Sequence, residues 1–289
     1  MIEKKRIVVT GGAGFVGSAL CHVLSKTNEV HSIDNYYTGC KTNHQPDVEY
    51  HHGSAKEIFR LVEGNVDYVF HFGEYSRVEQ SFEDFDFVMR NNSESLPEVL
   101  KFCRQRGAKL IYSGSSTKFT NDTLGYCQSP YAYTKGINTQ LIEAYKNWYE
   151  LDYAIVYFYN VYGPGEIARG KYATVVAKFL ASHAAGLPLT VVRPGSQVRN
   201  FTHIDDIVSG ILKVAEFGRG DLYGIGSDDS YTILELASMI SPNVEMLAER
   251  PGNRTGATLE ADKTKALGWA ALEKIEDYIR ALQEEGRNM

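Results

Sequence analysis

Short runs of β-branched and apolar residues punctuate the first half of the chain: Ile7-Val8-Val9-Thr10, Val30-His31-Ser32-Ile33, Tyr68-Val69-Phe70, Leu110-Ile111-Tyr112 and Ala154-Ile155-Val156-Tyr157. Such runs read as strands. Between them lie helix-length stretches, 14–26, 88–106 and 130–150, the last two with amphipathic spacing and the second stopped by Gly107. Strand and helix in alternation predict an α/β fold, a Rossmann-type doubly wound parallel sheet joined by right-handed crossovers. After Asn160-Val161-Tyr162-Gly163-Pro164 the pattern loosens and gains glycine, proline and isolated basic residues. That change predicts a dinucleotide-binding domain over 1–162 and a smaller C-terminal α/β substrate lobe over 163–289, with some later segments returning to the sheet. No internal repeat or linker separates the two.

Composition adds exclusions more than direction. At 289 residues, 43% hydrophobic and 23% charged, the chain has ordinary globular values and no apolar run long enough to span a bilayer. The N-terminal Met1-Ile2-Glu3-Lys4-Lys5-Arg6 meets glycines too soon for a signal-peptide core, so a cytoplasmic location is expected and no membrane partner. A formal net charge of −6, with no basic stripe, argues against nucleic acid. Cys21, Cys40, Cys103 and Cys127 are widely spaced and lack metal-site spacing, so reduced thiols and no metal are expected.

The chemistry begins at Thr10-Gly11-Gly12-Ala13-Gly14-Phe15-Val16-Gly17, which follows the first strand and opens a helix. Glycines there permit a tight turn and close phosphate approach, and the helix N-terminus offers free amide donors and a positive dipole end to a pyrophosphate. Asp34, closing the second strand, stands where an acid binds the adenosine ribose hydroxyls and repels a 2′-phosphate, so NAD is expected rather than NADP. Tyr131-Ala132-Tyr133-Thr134-Lys135 falls early in a helix, so Tyr131 and Lys135 share a face. A free tyrosine near pKa ~10 is a poor base at neutral pH, and a neighbouring ammonium favours its phenolate. Tyr112-Ser113-Gly114-Ser115-Ser116-Thr117 ends a strand at the sheet edge where ligands bind, and supplies hydroxyls.

Together with the glycine turn, these residues resemble the extended short-chain dehydrogenase/reductase family, in its nucleotide-sugar epimerase and dehydratase branch. Other matching landmarks follow in order: His71-Phe72-Gly73, Asn91-Asn92, Ser129-Pro130-Tyr131, Asn160-Val161-Tyr162-Gly163-Pro164, Arg199-Asn200-Phe201-Thr202-His203-Ile204-Asp205-Asp206 and Arg250-Pro251-Gly252. The resemblance implies Ser115 as substrate-orienting hydroxyl, Tyr131 as acid/base and Lys135 as its electrostatic partner and ribose donor. It implies tightly bound NAD held by Gly11, Gly14, Phe15, Val16, Gly17, Asp34, Asn35, Ser54, Phe72, Gly73, Asn92, Tyr131 and Lys135. A nucleotide-diphosphate sugar would meet Arg77, Ser115, Ser116, Asn160, Arg199 and Arg250, with the guanidinium groups of Arg199 and Arg250 on the diphosphate. Arg193, Arg199, Arg250 and Arg254 also read as exposed loop charges, Arg199 the least of the four. His71 and His203 read as structural, and Asp205-Asp206 as a cap for the next helix rather than a metal site. A homodimer through the Tyr131 helix and the preceding long helix is implied as well.

Within that branch, dehydratases carry an Asp-Glu pair where this chain has Ser116 and Thr117. The Thr117 place holds glutamate in decarboxylating relatives and cysteine in the epimerase-reductases. What remains, Ser115, Tyr131 and Lys135, resembles sugar C4 epimerases, with a C4 dehydrogenase or 4-keto reductase as the alternative. Three departures stand out: Gly53-Ser54 where the family has Gly-Asp, Gly73-Glu74-Tyr75 in place of small residues near the nicotinamide, and Lys118-Phe119-Thr120 in place of Val-Tyr-Gly. They keep open a non-catalytic NAD-sensing protein on the same fold. The C-terminal lobe and Arg199 count against a simple alcohol dehydrogenase.

Overall fold

The computed structural model describes residues 2–119, 125–249 and 258–287. Thr120, Arg250, Pro251, Gly252 and Arg254 lie outside the described residues. The chain runs β1 (Arg6–Thr10), α1 (Phe15–Leu24), β2 (Glu29–Asp34), β3 (Val48–His52), α2 (Ile58–Leu61), β4 (Tyr68–His71), α3 (Phe85–Arg106), β5 (Lys109–Ser113), α4 (Pro130–Tyr149) and β6 (Tyr153–Phe158). It continues through β7 (Val161–Tyr162), α5 (Val175–Ala184), β8 (Leu189–Val192), β9 (Val198–Asn200), β10 (Thr202–His203), α6 (Ile204–Phe217), β11 (Gly220–Ile225), β12 (Ser230–Thr232), α7 (Ile233–Ile240), β13 (Val244–Leu247), α8 (Asp262–Lys265) and α9 (Ile275–Arg287).

Seven parallel strands form the main sheet in the order β11-β6-β5-β4-β1-β2-β3. Strand order reverses between β1 and β4, which opens a crevice at their carboxyl ends. One face of the sheet is covered by α3 and α4, where Leu96, Val99, Leu100, Phe102 and Ile142 pack on Val8, Val69, Leu110 and Ile155. The other face is covered by α1 and α6, where Leu20, Cys21, Ile207, Ile211 and Val214 pack on Ile7, Val9, Phe70 and Val156. Burial on both faces is why these strands read as unbroken apolar runs.

Two strands of the main sheet escape the apolar-run pattern. β3 is the edge strand Val-Glu-Tyr-His-His, with only Val48 buried, so its polar residues face water without loss. β11 begins Gly220-Asp221 and carries a register shift between Gly220 and Tyr223, which dilutes its hydrophobic signal. β11 and α6 come from the 163–289 half yet join the sheet and its core. Trp269 joins that sheet core as well, and most of the remaining segments build a small lobe around Tyr162, Phe179, Leu189, Phe201, Leu236, Ile240 and Ile279. In it β8 pairs with β13 and β9 with β12.

The cap expected at Asp205-Asp206 is instead His203, whose Nδ1 accepts from the Asp205 N–H at 3.3 Å. Both aspartates lie in the first turn of α6, where their charge still suits the helix dipole. Asp206 also accepts the backbone N–H groups of Leu272 and Glu273, tying the C-terminal segment to the sheet. Among the described residues no helix is long and apolar enough to cross a membrane. All four cysteines are free, Cys21 and Cys103 buried.

Candidate active site

A cavity of about 920 Å³ opens over the crevice between β1 and β4 and runs toward the small lobe. Its floor is the turn from β1 into α1. Gly11 holds φ +78°, and a Cβ there would come within 2.8 Å of the Gly73 Cα. A Cβ on Gly17 would lie 2.1 Å from the Gly11 carbonyl oxygen, so only glycine lets helix and turn meet this closely. Gly14 precedes α1 at the cap position and offers no side-chain cap, and the first turn holds no acid, which leaves the helix amides to the cavity. A cradle that any Cβ would fill, facing uncapped amides, fits a dinucleotide pyrophosphate.

Asp34 ends β2 buried in the cavity wall. Its Oδ2 accepts from Ala13 N at 2.9 Å and its Oδ1 from Tyr36 N at 2.8 Å, so backbone donors hold the carboxylate while each oxygen keeps a further lone pair. Phe15, Val16, Asn35, Phe72 and Gly73 also line the cavity. Thr10 Oγ1 accepts from Phe72 N and Gly73 N at 3.2 and 3.0 Å, which locks the β4 loop onto the glycine turn.

Two expected cofactor residues face elsewhere. Ser54 Oγ accepts from Lys56 N while Glu57 accepts from Ser54 N, a capping box on the turn that follows β3. Its neighbours Gly53 and Ala55 line the cavity instead. Asn92 is fully buried and bonds both backbone groups of Tyr75 and the Thr134 hydroxyl, so it braces the wall from behind while Asn91 lines it.

At the carboxyl end of β5, Ser115 and Ser116 line the cavity beside Tyr131 and Lys135. Ser129 caps α4 by accepting from Ala132 N at 3.1 Å, and Pro130 follows at the first helical position, which sets where Tyr131 emerges. Thr117 turns inward and donates to Ser115 Oγ at 2.9 Å. Lys135 is buried, with its Nζ 2.6 Å from the Ser113 carbonyl, 3.4 Å from Ser113 Oγ and 2.8 Å from Glu74 Oε2. Glu74 is buried too, and its carboxyl is held down at about 2: burial works against the charge, but the Lys135 ammonium and His71 outweigh it. His71, expected to be structural, contacts Thr10 Oγ1 at 2.7 Å.

Toward the lobe, Arg77, Asn160 and Arg199 reach the same cavity. Asn160 takes φ +35° and donates to the Asn200 carbonyl at 2.9 Å, joining the turn between β6 and β7 to the end of β9. Arg77 donates to the Tyr172 carbonyl at 2.9 and 3.1 Å, and burial lowers its pKa.

Several lining residues carry no motif and are found only in three dimensions. Tyr37 stacks on Phe87 with centroids 3.9 Å apart, and Tyr75 and Tyr172 complete an aromatic wall. Asp84 anchors it, accepting from Tyr75 OH, Tyr172 OH and Lys171 Nζ at 2.8, 2.9 and 2.8 Å. Glu166 accepts from Gly163 N and is pushed up by burial. The Gly-Pro-Gly-Glu run at 163–166 was its one available signal. Apart from the cavity, His31, Glu49 and His51 bring ligand-type atoms to 3.1–3.5 Å on the outer strands, with Arg6 against His31.

The protein-family model described as the NAD dependent epimerase/dehydratase family matches residues 7–226. UDP-glucuronic acid decarboxylase 6 of Arabidopsis thaliana is 28% identical over 98% of this chain and 89% of its own length. The solved UDP-glucose 4-epimerase of Thermotoga maritima, with UDP-glucose, superimposes with a TM-score of 0.88 at 25% identity over 98% of this chain and 99% of its own. The Thermus thermophilus UDP-glucose 4-epimerase in complex with NAD gives 0.85 at 25% identity, over 98% and 99%.

Proposed function

This chain belongs to the NAD-dependent epimerase/dehydratase family, and from that premise we propose that it inverts the C4 hydroxyl of a nucleotide-diphosphate sugar. The observation that carries the reading is one cavity lined by Ser115, Tyr131 and Lys135 together with the glycine turn, while the two positions after Ser115 hold hydroxyls, not carboxylates. Removal of water or carbon dioxide needs further acid–base groups beside the ring, and Ser116 and Thr117 supply none. Hydride abstraction and return needs only one group that exchanges a proton with the sugar.

NAD, when bound, accepts a hydride from the sugar carbon and gives it back. The protein's part is geometric and electrostatic. Gly11, Gly14 and Gly17 bring backbone close to the pyrophosphate, and the open amides of α1 bond it. Asp34 accepts from the adenosine ribose hydroxyls and repels a 2′-phosphate. Ser115 orients the reacting hydroxyl, and Tyr131 takes the proton from the C4 oxygen and gives it back to that oxygen after the sugar has turned and presents the opposite face of C4 to the returning hydride. Arg199 and Asn160 hold the diphosphate end from the lobe, and Arg77 meets the sugar side.

Incubation of the purified protein with UDP-, GDP-, dTDP- and CDP-sugars, followed by NMR of the products, tests this. One sugar converted to its C4 epimer with NAD retained supports it. A 4-keto product beside reduced cofactor makes the protein a C4 dehydrogenase, and carbon dioxide release makes it a decarboxylase. The same reading includes a homodimer through α3 and α4, supported by the exposed Phe85, Tyr133, Trp148 and Tyr149 on those two helices.

A further inference from the structure

Directly beneath the acid/base pair lies a carboxylate that the reaction does not call for. Glu74 follows β4, and its side chain is wholly buried. Oε2 accepts from Tyr112 OH at 2.7 Å and lies 2.8 Å from Lys135 Nζ, while Oε1 accepts from Asn138 Nδ2 at 2.9 Å with His71 Nε2 at 3.3 Å. β4, β5 and α4 thus each send a group to this one carboxylate. An ammonium has three donors, and those of Lys135 meet three acceptors within reach: Glu74, the Ser113 carbonyl and Ser113 Oγ. The Tyr112 ring lies 4.9 Å from the same nitrogen.

A bare ammonium one helical turn from Tyr131 would favour its phenolate. Here that charge is balanced at salt-bridge distance in a buried, weakly screened setting. The pair is hard to explain as a stability device, because buried ion pairs roughly break even against apolar packing. We propose that Glu74 is a positioning residue that tethers and neutralises Lys135, so that Tyr131 works beside a neutral pair and gives up its proton at higher pH than it would next to a free lysine. Among the described residues, Arg77 and Tyr112 also interact electrostatically with Tyr131, and Lys135, His71 and Tyr112 with Glu74. The proposal rests on Tyr131 being the acid/base of the reading above.

The test is a pH titration of the full chain, labelled with 13Cζ-tyrosine and supplied with NAD, followed by NMR; the Tyr131 resonance is the one missing in Tyr131→Phe. In Glu74→Gln its midpoint should move down by about one pH unit or more, and in Glu74→Asp by less. In a Lys135→Met background Glu74→Gln should produce no such downward move, because the cation it would release is gone. An unchanged midpoint in Glu74→Gln, or an equal fall in the Lys135→Met background, overturns the proposal. Should Glu74→Gln fail to fold, Glu74→Asp carries the same decision, and an unmoved midpoint there overturns it. No substrate enters the titration, so its failure is separate from failure of the epimerase reading, which product analysis decides.

Discussion

At Gly17 there is no room for a methyl group: its Cβ would sit 2.1 Å from a backbone carbonyl oxygen that cannot swing aside. Gly17→Ala must therefore displace the turn, and NAD affinity measured by calorimetry should fall about tenfold or more, the equivalent of roughly 1.4 kcal/mol. Tyr131→Phe leaves the cavity shape intact and should lower turnover by about 10²–10⁴-fold while NAD is retained, as measured by steady-state kinetics and by cofactor release on denaturation. Glu74 makes a prediction about pH. Its folded pKa, about 2, is depressed from the ordinary 4.5, so the pair's contribution to stability is complete above pH 4.5 and is lost as pH falls from there toward 2. Urea midpoints should drop across that window in the parent and less steeply in Glu74→Gln, where the other depressed carboxylates still titrate. The glycine turn, Asp34, Ser115 and the Tyr131/Lys135 pair were legible in the sequence because local spacing creates them. Glu74 was visible only as a departure from small residues, since its meaning depends on Tyr112, Asn138 and Lys135, which the fold brings from far along the chain.

Among the elements, α4 shows how a local signal positions a distant function. Ser129→Ala removes the cap two residues before Tyr131 and should cost about 1 kcal/mol, a fall in Tm of roughly 2–4 °C for a chain of this size, with turnover reduced as the first turn loosens. The segment around Lys171 and Tyr172 lines the cavity and is pinned to the start of α3 through Asp84. Asp84→Ala removes three polar contacts, so Tm in thermal melts should fall at least as far as in Ser129→Ala, and NAD release in stopped-flow displacement should speed by about tenfold. Buried strands announced themselves as apolar runs, whereas β3 and β11 did not, one being a polar edge strand and the other broken by glycine and a register shift. Ser54 and Asn92 show the converse. Their positions matched a pattern, but their side chains are spent on a cap and on bracing the Tyr75 backbone.

Over the whole molecule, the lobe and the sheet share one cavity because α6 and β11 return from the second half of the chain and fix the lobe's approach. Sequence alone predicted the change of pattern after Pro164 and some return, but not which segments, because an amphipathic helix does not specify the surface it covers. Trp148 projects from α4 with 63% of its surface exposed. If α3 and α4 form the dimer, Trp148→Glu should convert the species seen by light scattering from dimer to monomer while the fold is kept. If the sugar leaves with its own hydride restored at C4, deuterium placed at C4 of whichever panel sugar is turned over must stay in the product. The expected product is a C4 epimer that keeps its deuterium, with no net change in bound NAD. Deuterium appearing in released NADH beside a ketone, or a product shortened by loss of carbon dioxide, would contradict it.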